Sequence, residues 1–245
     1  MTSSAWSYRL YKGLWGGLDW LFPPTCGGCG KVGYRWCEEC RHGSMPIAEP
    51  LCVVCGLPQP QSGICAECKR SRPSYAALRS WLAFEGPIRN ALHRMKYRRD
   101  LGLGEALAIP ISLFLSEYAW KVDLVVPIPL SRQRARERGY NQVGLVAFPL
   151  ALSLRLKYGA DALMRARHTR SQVGLTAGER RTNVRGAFRG QARQLAGKSI
   201  LLMDDVATTG STLASASDAA LEAGAREVYC LTIARAFPRH GLQTV

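Results

Sequence analysis

The sequence reads Ile200-Leu-Leu-Met-Asp204-Asp205-Val-Ala-Thr208-Thr209-Gly210-Ser211-Thr212 near its carboxyl end. Its apolar start predicts a buried strand over residues 199–203, and the Ala-rich residues 211–223 predict a helix that Gly224 ends. The turn between them offers backbone N–H groups, hydroxyls and a positive helix terminus to a phosphate group. Asp204 and Asp205 are hydrogen-bond acceptors suited to vicinal sugar hydroxyls or to the water ligands of a metal. The stretch therefore predicts a ribose 5-phosphate site, and it lacks the Gly-Lys-Ser/Thr ending of a P-loop. An ordinary metal pocket or a response-regulator pocket is the alternative for a strand that ends in Asp-Asp.

Further strands and helices surround this element. Residues 124–128 form a short apolar run closed by Pro127 and Pro129, and residues 228–234 form a second run, in which Cys230 is expected to be buried. Residues 143–156 are mostly apolar and predict a helix. A further helix is predicted from Gly86-Pro87, with an apolar face made by Ile88, Ala91, Leu92 and Met95. The order strand, loop, helix, strand predicts an α/β fold with a parallel sheet and right-handed crossovers.

Eight of the nine cysteines form four C-x-x-C pairs. Two such pairs complete a tetrahedral sulfur site, so eight thiolates suffice for two zinc ions. Because sets of four thiolates leave no open coordination position, the zinc is expected to be structural. The simplest pairing is sequential, although a crossed pairing, redox chemistry or an iron–sulfur cluster are alternatives. The two sequential sets are Cys26, Cys29, Cys37 and Cys40, and Cys52, Cys55, Cys65 and Cys68.

Length and composition indicate a small module joined to one larger domain. The chain has 245 residues, of which 47% are hydrophobic, as in ordinary globular proteins. Residues 1–72 are predicted to form a metal-dependent module, since this stretch is too short to bury much of a core, and residues 73–245 the α/β domain. No run of 18 uncharged apolar residues occurs, so no membrane span is expected. The amino-terminal stretch is a poor secretory signal because Arg9, Lys12 and Asp19 interrupt it, and a cytoplasmic location is expected.

The positive charge is concentrated in one part of the chain. The formal net charge is +15, and residues 132–198 contribute +12 of it, from 15 Lys or Arg against three acids. Most of these cations are arginines, which suit bidentate phosphate contacts. The block is expected to attract a phosphorylated small molecule or a polyanion such as single-stranded DNA, and a solvated basic face is the alternative.

Residues 201–212 resemble the signature with which type I phosphoribosyltransferases bind 5-phosphoribosyl 1-pyrophosphate (PRPP). Together with the cysteine module, the chain from about residue 21 to residue 235 resembles the ComF family. Further motifs stand in the family's order: Lys96-Tyr97, Val126-Pro-Ile-Pro-Leu130, Arg138-Gly-Tyr-Asn-Gln142, Gln172-Val-Gly-Leu175, Arg180-Arg-Thr-Asn183 and Arg185-Gly-Ala-Phe188. The resemblance implies a type I phosphoribosyltransferase fold, with a Rossmann-like parallel sheet and an N-terminal double zinc ribbon. It also implies a link to DNA uptake in natural transformation.

The resemblance further implies roles for individual residues. Asp204 and Asp205 would accept hydrogen bonds from the ribose 2- and 3-hydroxyls, with Mg²⁺ accompanying PRPP. The 5-phosphate would be wrapped by Ala207, Thr208, Thr209, Gly210, Ser211 and Thr212. The diphosphate would be held near Ser131, Arg132, Arg138 and Asn141, with Arg180 and Arg181 on a mobile loop that closes over it.

Three functions are compatible with this sequence. The first is a phosphoribosyltransferase with an unidentified acceptor. The second is a PRPP-responsive protein that binds single-stranded DNA. The third is an adaptor that joins proteins of the DNA-uptake machinery through its zinc module. Family resemblance favours DNA uptake as the process but does not establish catalysis.

Overall fold

The computed structural model describes residues 23–98, 100–166 and 186–237. Within these residues, five strands form a parallel sheet in the order β1-β7-β6-β2-β3, and β4 pairs with β5 in a separate antiparallel hairpin. The strands are β1 (Ala77–Ala83), β2 (Leu124–Pro127), β3 (Lys157–Tyr158), β4 (Leu163–Arg165), β5 (Phe188–Gly190), β6 (Ser199–Ala207) and β7 (Glu227–Arg235).

Helices cover both faces of the sheet. They are α1 (Glu38–His42), α2 (Ala66–Arg70), α3 (Gly86–Tyr97), α4 (Leu103–Ser116), α5 (Arg132–Arg138), α6 (Gln142–Ser153), α7 (Ala192–Leu195) and α8 (Ser211–Glu222). Among the described residues, none of the helices has the length and apolar character that a membrane crossing requires.

Strand β6 lies at the centre of the sheet, between β7 and β2. Residues Ile200 to Met203 are fully buried, which confirms the predicted strand. The strand is four residues longer than the apolar run because its pairing with β7 continues to Ala207, which lies opposite Arg235. The two aspartates are therefore part of the strand's carboxyl end rather than of the loop after it.

Each face of the sheet has its own apolar core. On one face α3, α4 and α6 pack against residues such as Val125 and Leu201. The predicted apolar side of α3 is confirmed, since Ile88, Ala91, Leu92 and Met95 are all buried. On the other face α8 and the β4–β5 hairpin pack against Leu202 and the buried thiol of Cys230.

The cysteine-rich segment packs directly on the α/β domain. Residues around the Cys52–Cys55 pair run beside the edge strand β1, where Leu78 donates its N–H to the carbonyl of Val54 at 2.7 Å. Cys52, Cys55 and Cys68 belong to the same apolar cluster as Tyr75 and Leu78. The α/β sheet begins at Ala77, and a domain boundary at residue 72 remains a prediction.

The strand order reverses between β2 and β6. Helices α3, α4 and α6, which connect β1 to β2 and β2 to β3, lie on one face, whereas α8, which connects β6 to β7, lies on the other. Loops that leave two adjacent parallel strands toward opposite faces create a crevice, where α/β proteins bind ligands. The crevice here lies between the residues that follow Pro127 and those that follow Asp204.

Candidate functional site

Residues 207–212, called the phosphate loop below, connect β6 to α8. Gly210 has a φ of +76°, in the left-handed region that favours glycine, and it directly precedes the first residue of α8. The hydroxyls of Thr209 and Ser211 are 2.9 Å apart, and Thr208 and Thr209 are exposed at the crevice. The loop thus presents hydroxyls and the amino terminus of a 12-residue helix, which is a favourable environment for a phosphate group.

The two aspartates at the end of β6 have different surroundings. The Asp205 carboxylate pairs with Lys96 Nζ at 2.6 Å and accepts from Gln142 Nε2 at 3.2 Å. Burial works against its ionisation, but the Lys96 ammonium and these hydrogen bonds hold the pKa of Asp205 below its usual range. Burial and the neighbouring Asp205 charge raise the pKa of Asp204 to about 8. Protonation is therefore favoured on Asp204, while the Asp205 carboxylate is neutralised by Lys96.

A cavity of about 270 Å³ lies between α3 and α5, and one of its lining residues, Lys96, pairs with Asp205. Arg138 lies over the ring of Tyr97, 5.4 Å from its centroid, and donates to the side-chain oxygen of Gln142 at 2.8 Å. Tyr140 donates its hydroxyl to the carbonyl of Met95, so its ring is held as part of the wall. The lining residues are Lys96, Tyr97, Arg134, Glu137, Arg138 and Tyr140. With three cations and one carboxylate, the cavity suits an anionic group.

Two of the predicted diphosphate residues are helix caps. Ser131 Oγ accepts from the backbone N–H of Arg134 at 3.3 Å and begins α5. Asn141 Oδ1 accepts from Val143 N–H at 3.0 Å and begins α6, while its Nδ2 donates to the carbonyl of Ile128 at 3.0 Å. Asn141 therefore fixes the loop after β2. Both residues lie at the crevice, and their described contacts position backbone.

The other predicted anion-binding residues are distributed differently. Arg132 is exposed on the first turn of α5, and Arg138 faces the cavity. The predicted pair Arg180 and Arg181 lies outside the described residues.

Sequence reasoning did not assign roles to Lys96, Gln142 and Arg165. Arg165 on β4 interacts electrostatically with both Arg134 and Asp204. The β4–β5 hairpin therefore lies near the aspartates. Lys96 and Gln142 belong to motifs of the ComF family, and this membership is the sequence signal that points to them. Their contacts with Asp205 span 109 and 63 positions of sequence, so no local pattern reveals them.

The eight paired cysteines form two clusters with the predicted sequential membership. One consists of Cys26, Cys29, Cys37 and Cys40, and the other of Cys52, Cys55, Cys65 and Cys68, with the ligand atoms of each set within 4.8 Å of one another. Sulfur atoms on opposite knuckles are 3.6 to 3.7 Å apart. A tetrahedral zinc site with Zn–S bonds near 2.3 Å places its sulfurs about 3.8 Å apart, so both clusters fit zinc.

Backbone N–H groups further support thiolates in both clusters. Cys37 N–H donates to Cys26 Sγ, and Cys65 N–H donates to Cys52 Sγ, both at 3.3 Å. Although burial opposes ionisation, such bonds lower the pKa of Cys26 and of Cys52 to about 6. Burial raises the pKa of other thiols in the same clusters, Cys40 in the first and Cys55 and Cys68 in the second. His42 is exposed, and its Nε2 lies 3.2 Å from Glu38 Oε1, outside the first cluster.

Comparisons with known proteins agree with both parts of the chain. The double zinc ribbon domain family matches residues 17–69. The DNA utilization protein YhgH of Escherichia coli O157:H7 is 31% identical over 225 residues, covering 88% of this chain and 96% of that protein. Competence protein ComFC of Bacillus subtilis is 31% identical over 84% of this chain and 86% of its own length. Competence protein F of Haemophilus influenzae is 29% identical, over 82% of this chain and 96% of its own length.

Overlaps with solved structures are more limited. An adenine phosphoribosyltransferase covers 57% of this chain and 81% of its own, with 20% identity and a TM-score of 0.36. A glutamine PRPP amidotransferase from B. subtilis covers 58% of this chain and 27% of its own, with 22% identity and a TM-score of 0.36.

The sheet order, the strand–loop–helix at its switch point and the two cysteine clusters define the class: a double zinc ribbon on an α/β domain with a parallel sheet. The predicted α/β fold with a parallel sheet and an N-terminal double zinc ribbon is therefore confirmed. The 31% identity to YhgH covers 96% of that protein and shows the family. This chain belongs to the ComF family of competence and DNA utilization proteins.

Proposed function

We propose that this protein is a cytoplasmic PRPP-dependent phosphoribosyltransferase that acts in DNA uptake and transfers phosphoribosyl to an unidentified acceptor. The names of its relatives, which refer to competence and DNA utilization, support the process. The chemistry is supported by the crevice at the carboxyl ends of β2 and β6.

One observation carries the proposal: three features needed for PRPP lie side by side in this crevice. The phosphate loop follows Asp204 and Asp205 directly along β6. The ion pair between Asp205 and Lys96, at 2.6 Å, connects these aspartates to the cationic cavity. The order phosphate loop, carboxylates, cations matches the order 5-phosphate, ribose hydroxyls, diphosphate along PRPP.

Transfer at this site is a substitution at the ribose C1. The bond between C1 and the diphosphate oxygen breaks, pyrophosphate leaves with the electron pair, and a lone pair of the acceptor forms the new bond to C1. Lys96, Arg134 and Arg138 would stabilise the charge that grows on the leaving diphosphate, while the aspartates fix the ribose through its hydroxyls. Positioning and electrostatic stabilisation account for catalysis of this kind without a dedicated base.

Magnesium fits the same carboxylates. Mg²⁺ prefers oxygen ligands and is commonly held by one or two carboxylates together with substrate phosphates. Burial and the Asp205 charge raise the pKa of Asp204, and a bound cation would offset both effects by favouring its ionised form. Asp204 and Asp205 would hold the ion, directly or through water, and the ion would add positive charge next to the diphosphate.

Isothermal titration calorimetry with PRPP and Mg²⁺ tests the proposal. Binding is expected for the wild type and strongly weakened binding for Asp204→Asn with Asp205→Asn, for Thr209→Val and for Gly210→Val. Asp123→Asn is the matched control, because Asp123 precedes β2 at the opposite edge of the sheet. Equal PRPP affinity in all variants, or no PRPP binding by the wild type, would contradict the proposed site. Catalysis itself is tested by pyrophosphate release with nucleobases, amines and DNA ends as acceptors.

A second function is favoured by the exposure of α5. This helix has no buried residue, and Arg132, Arg134 and Arg136 are all exposed on it. Such a helix suits the backbone of single-stranded DNA, which would then bind beside the PRPP crevice. Binding of DNA without turnover would make the protein a PRPP-responsive DNA-binding protein.

A further inference from the structure

Arg235, the last residue of β7, is a buried cation whose guanidinium is only partly hydrogen-bonded within the described part of the chain. Its side chain is fully buried, and Nη1 donates to the carbonyl of Cys55 at 2.5 Å. No residue in the described part of the chain accepts a hydrogen bond from its Nε or Nη2. A guanidinium removed from water is strongly destabilising unless opposite charge lies nearby. The surroundings of Arg235 must therefore supply negative charge.

The second cysteine cluster lies next to this guanidinium and would supply that charge when it holds zinc. Arg235 donates to the carbonyl of Cys55, and Cys52, Cys55 and Cys68 of the cluster are all buried. Four thiolates around one divalent ion carry a net charge of −2, which a single guanidinium halves. Arg235 thus lies against the second centre as its counter-charge.

The first cluster has a similar arginine with a different balance. Arg94 Nη1 donates to the carbonyl of Cys26 at 2.8 Å, as Arg235 does to Cys55. Arg94 also pairs with Asp100 at 2.9 Å, so its charge is balanced without the metal. Loss of zinc from the first centre would leave Arg94 paired, whereas loss from the second would leave Arg235 buried and unbalanced.

The same region of the molecule contacts the phosphate loop. In the β6–β7 register Arg235 lies opposite Ala207, the first residue of the loop, and Ala236 N–H donates to the Ala207 carbonyl at 2.9 Å. Tyr75, only 3% exposed, places its hydroxyl oxygen 3.2 Å from the point that a Cβ on Gly210 would occupy. Arg235 and Tyr75 therefore connect the second cluster to Ala207 and Gly210 of this loop.

We propose that Arg235 is a positioning residue that couples the second zinc centre to the phosphate loop. The metal-loaded cluster holds the guanidinium in place, and Arg235 in turn holds the end of β7 against Ala207. Zinc in the second centre and a phosphate-bearing ligand in the loop then stabilise each other. The part of this inference that concerns PRPP as the ligand rests on the proposed function.

Zinc release from the full-length wild-type protein tests the coupling. The protein is loaded with zinc, mixed with excess chromogenic chelator, and the release of two ions is followed with and without PRPP and Mg²⁺. Coupling between two sites typically changes affinity roughly 5- to 150-fold. Most affinity differences between related complexes lie in the dissociation rate, so PRPP is expected to slow the release of one ion about fivefold or more. The other ion, from the first centre, should leave at an unchanged rate.

Variants assign the effect to Arg235. Arg235→Gln keeps a hydrogen-bond donor but removes the charge, so one ion should leave faster and lose its protection by PRPP. Arg235→Lys restores the charge and should recover much of the slow release. Arg94→Gln is the matched control, in which PRPP still protects the ion of the second centre. Unequal protection in the wild type that persists in Arg235→Gln overturns the proposal, as does protection of neither ion or of both ions equally.

Inorganic phosphate separates this inference from the proposed function. Phosphate requires the loop alone and none of the ribose contacts. If PRPP gives no binding heat, the proposed function fails. Slower release of one zinc ion in the presence of phosphate would then still support the coupling, and unchanged release of both ions would contradict it. The wild-type measurement stands even if Arg235→Gln does not fold.

Discussion

Lys96 on α3 and Asp205 at the end of β6 form an ion pair of 2.6 Å in which the two side chains are only 22% and 11% exposed. This contact connects the first helix of the α/β domain to the strand that carries the phosphate loop. The ion pair also gives the two neighbouring aspartates different pKa values. It lowers the pKa of Asp205, and the resulting Asp205 charge contributes to the raised pKa of Asp204. In the proposed function, Lys96 would lie between the ribose hydroxyls and the diphosphate of PRPP.

Lys96→Gln is expected to weaken the binding of PRPP with Mg²⁺ by roughly ten- to a hundredfold, since hydrogen bonds to charged groups contribute about 1.5–3 kcal/mol. Calorimetry of this variant against Lys121→Gln measures the loss. Lys121 is exposed and precedes β2 at the opposite edge of the sheet, so it controls for a general loss of positive charge. An equal, small effect of both substitutions would place the diphosphate elsewhere.

Asp204 is expected to make stability fall as the pH rises. Its pKa is raised from about 4 to about 8, so the folded protein holds a proton that the unfolded chain releases. The stabilisation is complete below pH 4 and is lost progressively as the pH rises to about 8, because ionisation is then unfavourable only in the folded state. Thermal unfolding between pH 6 and 9 should show this decline in the wild type.

Asp204→Asn resembles the protonated carboxyl and should flatten this part of the pH dependence. The variant should unfold at a higher temperature than the wild type at pH 9. Asp205→Asn is the matched control and should lower stability, because it leaves Lys96 without its carboxylate. A wild-type pH profile in Asp204→Asn would show that another group is responsible.

The central part of the fold is readable from the sequence because its signals are local. Residues 200–212 specify a buried strand, a turn and a helix within one short stretch, and the C-x-x-C pairs specify metal knuckles in the same way. The edge strand β1 carries no comparable signal, since its position depends on pairing with β7 from the far end of the chain. The roles of Lys96 and Gln142 are equally non-local, because α3 and α6 bring them to Asp205 only after the sheet is assembled.

Zinc analysis of paired variants is expected to confirm the sequential grouping of the cysteines. The wild type should contain about two zinc ions per chain. Because Cys26 and Cys40 share one cluster, the double substitution of both by Ser should retain one ion. Replacing Cys26 and Cys52 should remove both ions, since one ligand is lost from each cluster. The reverse result would indicate crossed pairs, and iron in place of zinc would contradict the assignment.

Gly56→Ala is expected to destabilise the protein more than Gly30→Ala. Both glycines follow the second cysteine of a pair and have positive φ angles, +66° and +84°. A left-handed backbone costs an alanine roughly 1–2 kcal/mol at either position. At Gly56 a Cβ would also lie 2.5 Å from the carbonyl oxygen of Leu78 on β1, whereas at Gly30 it meets nothing within 4 Å among the described residues.

The contact with Leu78 should add about 1–3 kcal/mol at Gly56, as overpacking does in protein cores. Chemical denaturation of the two zinc-loaded variants measures the difference directly. Equal destabilisation would show that the knuckle and β1 separate readily, which would also weaken the case for coupling through this interface.

Single-stranded DNA is expected to bind along α5 in a strongly salt-dependent manner. Each phosphate neutralised by the protein contributes a slope of roughly −0.7 to the dependence of log affinity on log salt. Replacing Arg132, Arg134 and Arg136, all exposed, by Ala should reduce the magnitude of this slope by about 2 and lower affinity without unfolding the protein. Fluorescence anisotropy with a labelled oligonucleotide across a salt series measures both the affinity and the slope. Arg134 also lines the cavity, so PRPP added to the complex shows whether DNA enters the cavity as well. Competition by PRPP indicates a shared cavity, and simultaneous binding indicates a separate outer face. Binding that is absent at low salt, or that does not change with salt, would remove DNA as a direct partner and leave the transferase and adaptor functions.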